Sequence, residues 1–212
     1  MTIRRACCVV ALLAQVDCAL LSKSDAFVSR YFSPESAATS ADPVGPTGLE
    51  LRLGRVDAAA YIREEIVFRD SRYEVGFYEG RRWTERPDFY VRRALTRALF
   101  DRRGIRQIAY GAGATLDVDV IAFEEVRAPA HVGRIVLDYS IVDHRVVRFA
   151  RSITIERPIA YATGDAAADA IVGALSTALV DSVNILADQT ATELRAEGST
   201  PTLGLDGAEG SP

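Results

Sequence analysis

The chain has 212 residues, 49% of them apolar, enough for one domain with a substantial core. Its net charge of −4 is weak, and it lacks the strong basic excess of a nucleic-acid binder, so no nucleic-acid partner is expected. All three cysteines, Cys7, Cys8 and Cys18, fall near the start, which excludes a disulfide framework or a cysteine-ligated metal site in the body of the chain.

Arg4 and Arg5 lead into a short apolar run, ACCVVALLA. A membrane-spanning helix needs about 20 apolar residues, so this run is too short to cross a bilayer and suits the core of an export signal. A buried N-terminal helix or strand is the alternative. Cys18 stands where a bacterial lipoprotein would be acylated, although Gln15, Val16 and Asp17 before it make a poor processing site. Acylation of Cys18 and ordinary signal cleavage near Ala14 or Cys18 both fit these residues. Residues 1–17 are read as the signal peptide.

Residues 18–48 are rich in Ser, Ala, Pro, Asp and Gly and show no apolar period, which predicts a flexible linker. About 30 such residues would reach up to about 100 Å when stretched, or about 30 Å as a coil. The domain is expected over 49–195. Leu49, Leu51 and Leu53 alternate with polar residues, the period of a half-buried strand. EEIVF and RYEVGFYE, separated by Arg69-Asp70-Ser71, predict a hairpin. From Pro87 the period becomes helical, with Val91, Ala94, Leu95, Ala98 and Leu99 on one face and Gly104 as the stop.

Three further strands follow. Leu116, Val118 and Val120 share one face of the first, and Ile135, Leu137, Tyr139 and Ile141 one face of the second. Val147, Phe149, Ile153 and Ile155 are read as the apolar positions of the third, joined to the second by a short hairpin around Asp143-His144-Arg145. A second helix begins near Asp165. Its stripe includes Ile171, Ala174, Leu175, Ala178, Leu179, Ser182, Ile185 and Leu186 and runs to about Leu194. Small residues on it (Ala170, Ala174, Ala178) would admit a close partner helix, with homo-oligomer formation as one outcome. Packing on the chain's own sheet is the simpler reading. Residues 196–212 read as a disordered tail. The order β-β-β-α-β-β-β-α predicts an α+β two-layer sandwich, a mainly antiparallel sheet with two helices on one face.

Candidates for chemistry are few. His131 and His144 fall in turns and read as solvated. Asp117 and Asp119 alternate on one strand, followed by Glu124 and Glu125, and together they read as a solvent-facing polar side. Gly111-Ala112-Gly113 precedes a strand instead of opening a helix, so it reads as a plain loop. Arg81 and Arg82 beside Trp83 read as solvated residues in a strand-to-helix connection. No catalytic residue, cofactor or metal is expected.

Taken together, EEIVFR and RYEVGFYEGRRWTERPDFYVRRALTRAL, preceded by LELRLGRVDAAAYI, resemble the ABC-type transport auxiliary lipoprotein family, the group that includes paraquat-inducible protein C. The residues that carry the resemblance are Tyr73, the pair Phe77 and Tyr78, then Trp83 and Pro87, and these are taken as structural signatures of the fold. The similarity spans roughly residues 49–194, and CALLSKSD is similar to a mature lipoprotein start. The resemblance implies an exported protein, acylated at Cys18 and held on the periplasmic side of the outer membrane, or free in the periplasm if Cys18 is unmodified. It further implies a non-catalytic auxiliary of an ABC transporter with a mammalian-cell-entry-type (MCE) substrate-binding subunit as partner. Such systems move lipids or other hydrophobic molecules and bear on membrane integrity. The alternative is a soluble periplasmic carrier holding a hydrophobic ligand between sheet and helices.

Overall fold

The structure is a computed structural model that describes residues 28–34, 45–111 and 113–198. Cys18, the signal segment and most of the expected tail lie outside the described residues. The strands are β1 (Arg30–Phe32), β2 (Glu50–Ala58), β3 (Glu65–Arg69), β4 (Val75–Trp83), β5 (Arg106–Gln107), β6 (Thr115–Val126), β7 (Val132–Asp143) and β8 (Val146–Pro158). The helices are α1 (Pro87–Thr96), prolonged by a π-helical turn over Arg97–Asp101, and α2 (Asp165–Gly198).

The β3–β4 and β7–β8 hairpins are antiparallel, as the turn signals predict, and β6 pairs antiparallel with β7. The sheet as a whole is mixed. Strand β1 runs parallel to β4, β2 parallel to β5 and β6, and β3 parallel to β6. The expectation of a mainly antiparallel sheet is corrected here, and the reason lies in β6. One of its edges is filled along its length by β7. The other edge is shared: β2 pairs with its first half through Asp119 and Val120, and β3 pairs with its last residues, Glu124 to Val126. Strands β2 and β3 thus lie end to end, and with only residues 59–64 between them the chain continues along β6 in one direction.

Two short strands were absent from the expected order. Strand β5 is a two-residue addition beside β2. Strand β1 lies inside the segment read as linker. Arg30, Tyr31 and Phe32 pair with Arg81, Arg82 and Trp83, so the N-terminal arm is stitched to the sheet edge far before Leu49.

The alternating residues build the core. Leu116, Val118 and Val120 of β6 and Ile135, Leu137, Tyr139 and Ile141 of β7 are buried under the helices. Helix α1 starts on Pro87 with Asp88 in its first turn, and buries Val91, Leu95, Ala98 and Leu99. Helix α2 buries Ile171, Leu175, Ala178, Leu179 and Leu186. Burying one such Leu or Ile side chain stabilises the fold by about 1.5–3 kcal/mol. By length and composition α2 could cross a membrane, but half of its most apolar window is buried inside the domain. Its approach to the sheet is close: a Cβ on Gly133 would stand 3.1 Å from the Leu175 backbone nitrogen. Ala174 and Ala178 therefore serve internal packing. Two expected apolar positions are exposed, Ile185 on α2 and Val147 beside the β7–β8 turn, where Val183 and Ala187 take over the buried stripe of α2.

Candidate functional site

Two neighbouring carboxylates near the end of β6 have the most chemically loaded surroundings in the domain. The register of β6 on β7 shifts between Val120 and Ala122, which places Ile121 in a bulge. Before the bulge, even-numbered residues face the helices. After it, Phe123 does, paired with Ile135. Glu125 therefore turns to the helix side and Glu124 to the opposite side. Both are buried, with side-chain exposures of 3% and 0%. The expectation that Glu124 and Glu125 continue a solvent-facing row with Asp117 and Asp119 is corrected by this phase change. Asp117 and Asp119 themselves stay partly exposed beside Arg55, whose guanidinium lies 3.5 Å from Asp119.

An ionised carboxylate is costly to bury without partners. Glu124 is saturated by arginines. Arg69 of β3 donates through Nε to Oε1 at 3.0 Å and through a terminal nitrogen to Oε2 at 3.2 Å. Arg134 of β7, its direct cross-strand partner, donates to Oε1 from two nitrogens. The bond to Glu124 is also the main cause that raises the Arg69 pKa. Tyr61 donates to the Ile121 carbonyl at 2.8 Å, and burial, followed by the Glu124 charge, raises its pKa.

Glu125 has a different set of partners. The Tyr78 hydroxyl donates to Oε2 at 2.6 Å, and His131 Nε2 lies 2.6 Å from Oε1. Arg127 Nε lies 3.4 Å from Oε2, and the same guanidinium donates to Asp70 at 2.9 Å. Arg127 also lies 3.6 Å from the centre of the Phe68 ring, which meets Tyr78 edge-on at 5.1 Å. Gly76 makes room for this stack, because a Cβ there would stand 2.3 Å from the Phe68 ring. His131 keeps the exposure expected of a turn residue, 45% of its side chain, and also partners a buried carboxylate, which the sequence did not signal. His144 is exposed, near Asp143 at 3.7 Å.

The cluster ties β3, β4, β6 and β7 together. A general base or a metal ligand needs a free lone pair in reach of its target. Glu124 Oε1 accepts three bonds and Oε2 one, all from arginines of β3 and β7, and Glu125 is held from β4 and the β6–β7 turn. Among the described residues, no group of three or more His, Cys, Asp or Glu is placed to hold a metal ion.

The signature residues are divided by the fold. Trp83 is 1% exposed and packs edge-on against Phe123 at 5.4 Å and Tyr90 of α1 at 6.3 Å, under the first turn that Pro87 begins. Phe77 and Tyr78 point to opposite sides of β4. Tyr78 reaches Glu125, whereas Phe77 is 46% exposed. Tyr73 is exposed in the β3–β4 turn, with Arg72 over its ring at 5.6 Å. Between Phe77 and Arg82 the register of β4 on β3 breaks, and Gly80, at φ +70°, turns the chain through the irregularity. Arg81 and Arg82 are strand residues. Arg82 pairs with Glu65 at 3.0 Å, and Arg81 lies over the Tyr78 ring at 4.5 Å. The loop at Gly111 and Gly113 holds no helix start, and the Gly111 carbonyl accepts a bond from Arg52. Sequence reasoning missed Arg69, Arg127, Arg134 and Tyr61. A signal was present for their partners: the apolar alternation of β6 breaks at Val120-Ile121-Ala122-Phe123, four apolar residues in succession.

The sequence model of one family, described as "ABC-type transport auxiliary lipoprotein component", matches residues 32–187. The chain belongs to this family. Its matched region takes in β2 to β8, both buried glutamates and most of α2. A crystal structure of a Xanthomonas campestris protein superposes with a TM-score of 0.67 at 20% identity, covering 81% of this chain and all of that one. A second crystal structure, of an uncharacterized protein, gives 0.57 at 15% identity over 77% of this chain and 99% of its own. These two likenesses show the fold. None of the curated proteins matches the chain. As a member of the transport auxiliary lipoprotein family, the protein is a component of an ABC-type transport system, with the membrane-anchored or periplasmic location that a lipoprotein family implies.

Proposed function

We propose that this transport auxiliary lipoprotein is exported by the signal in residues 1–17, acylated at Cys18, and held on the periplasmic side of the outer membrane. There it acts as a non-catalytic adaptor for an ABC transporter whose MCE-type substrate-binding subunit is its docking partner, in a system that carries lipids or other hydrophobic molecules. The observation that carries this reading is the family match across 32–187. The saturated state of Glu124 and Glu125 supports a role that holds other parts in place. Leu95, Leu116, Leu137 and Leu175, none of them exposed, fill the space between sheet and helices, which supports an adaptor over the carrier alternative. Tyr73, Phe77, Tyr78, Trp83 and Pro87 serve in this reading as structural signatures of the fold, and Phe77 and Tyr73 keep exposed faces.

The test is capture of the full chain from its own membranes after cross-linking. Recovery of an MCE-type subunit is the expected result, and recovery of the transporter without it would remove that partner. Mass spectrometry of the mature N-terminus checks the anchor separately, with an acylated Cys18 at position one expected.

A further inference from the structure

Strand β1 shortens the tether. Between Cys18 and Arg30 lie residues 19–29, eleven in all. Fully stretched, that is at most about 40 Å of chain. A domain of this size has a radius of gyration of roughly 15 Å, so even the longest possible tether is comparable to the domain's own width. The arm does not give the long reach that its composition suggests. On the acylated-anchor reading, it keeps one particular edge of the sheet within that distance of the membrane.

That edge carries exposed amphipathic groups. Strand β1 ends the sheet, with β4 as its neighbour. Val28 is 79% exposed and Tyr31 61%. Tyr31 shares the helix-free face of the sheet with Arg82, its partner on β4, and with Phe77 further along β4. Glu65, Phe77, Tyr78, Glu79, Gly80 and Arg82 line an open cavity of about 360 Å³ where β4 departs from β3. Exposed aromatics with charges of both signs suit the headgroup layer of a bilayer, where one end of a ring is wet and the other is not.

We propose that in the anchored protein the β1–β4 edge, with Val28, Tyr31 and Phe77, rests on the lipid surface. This rests on the acylated-anchor reading above. The contact needs little intrinsic affinity, because a short tether supplies a high effective concentration. The opposite edge, β8, lies five strand spacings away, about 24 Å. In that pose it faces away from the membrane, and Val146 and Val147 on it are exposed.

The experiment supplies the anchor artificially. Residues 18–212 carrying Cys18→Ser and an N-terminal histidine tag are bound to phosphatidylethanolamine–phosphatidylglycerol vesicles doped with a nickel-chelating lipid. The body has no cysteine, so single labels enter through Tyr31→Cys, Phe77→Cys or Val147→Cys, each checked for unchanged thermal unfolding. Spin-labelled lipids should quench a fluorophore at 31 or 77 several-fold more than one at 147. Equal quenching at the three positions, or stronger quenching at 147, overturns the proposal, as does a water-exposed dye at 31 and 77 on the vesicle, which would assign this edge to a protein partner. Because the tag replaces the acyl chains, this result is independent of whether Cys18 is acylated in the cell.

Discussion

The Tyr78 hydroxyl and the Glu125 carboxylate meet at 2.6 Å across two strands that are not neighbours, since β3 lies between β4 and β6. The bond ties the irregular part of β4 to the centre of the sheet. Tyr78→Phe removes one donor from a buried carboxylate and leaves His131 in place. We expect a loss of about 1.5–3 kcal/mol in urea unfolding, the range for bonds to charged groups.

Alkaline pH should act on the same bond. Burial, and next the bond to Glu125, raise the Tyr78 pKa above 10.0, and burial raises that of Tyr61. The protonated phenol is thus favoured in the folded state. Its stabilising effect is complete below the unfolded value of about 10 and is lost as pH climbs through the folded value. The melting temperature should fall above about pH 10, and Tyr78→Phe, less stable at neutral pH, should show a shallower decline.

Glu124→Gln keeps the shape of the side chain and removes its charge, leaving Arg69 and Arg134 facing a neutral amide. Breaking a buried pair on one side costs about 3–5 kcal/mol, and the lower end applies here because both arginines retain some exposure. The only tryptophan, Trp83, is buried, so fluorescence during denaturation reads this directly.

Two glycines should respond to alanine with opposite signs. Gly76→Ala drives a methyl into the Phe68 ring and disturbs its stack on Arg127, an overpacking cost of about 1–3 kcal/mol. Gly173→Ala, inside α2, meets nothing within 4 Å and should stabilise by about 0.5–1 kcal/mol. Paired thermal melts give both signs.

The β7–β8 turn places His144 at φ 45° and Arg145 at φ 68°, both left-handed, in a hairpin that usually employs Asn-Gly. Arg145→Gly should therefore raise stability by about 1 kcal/mol, seen as a higher melting temperature with an unchanged circular dichroism spectrum.

Local periodicity made most elements legible. Both helices, the β3–β4 and β7–β8 hairpins and the buried faces of β6 and β7 follow from residues such as Val91, Leu95, Val118 and Leu137. Strand direction did not, because parallel pairing of β2 and β3 with β6 is decided by distant chain, not by any local turn. Strand β1 escaped notice because three residues are too few to show a period. Unbroken alternation from Leu116 would put Glu124 under the helices and Glu125 outside; the bulge at Ile121 reverses this, and arginines cover Glu124 on the outer side. Their arginine partners lie 55 positions away for Arg69 and 10 for Arg134, and no spacing rule links such pairs.

The end-to-end arrangement of β2 and β3 along β6 has a consequence for biosynthesis. The pairing partners of β2, which are β5 and β6, are both made after it. While the first hundred residues emerge from the ribosome, β2 has no strand to pair with, only α1 to pack on. On the proposed export route, a polypeptide must stay unfolded to thread the secretion channel. The topology itself delays premature closure until the second half of the chain has followed.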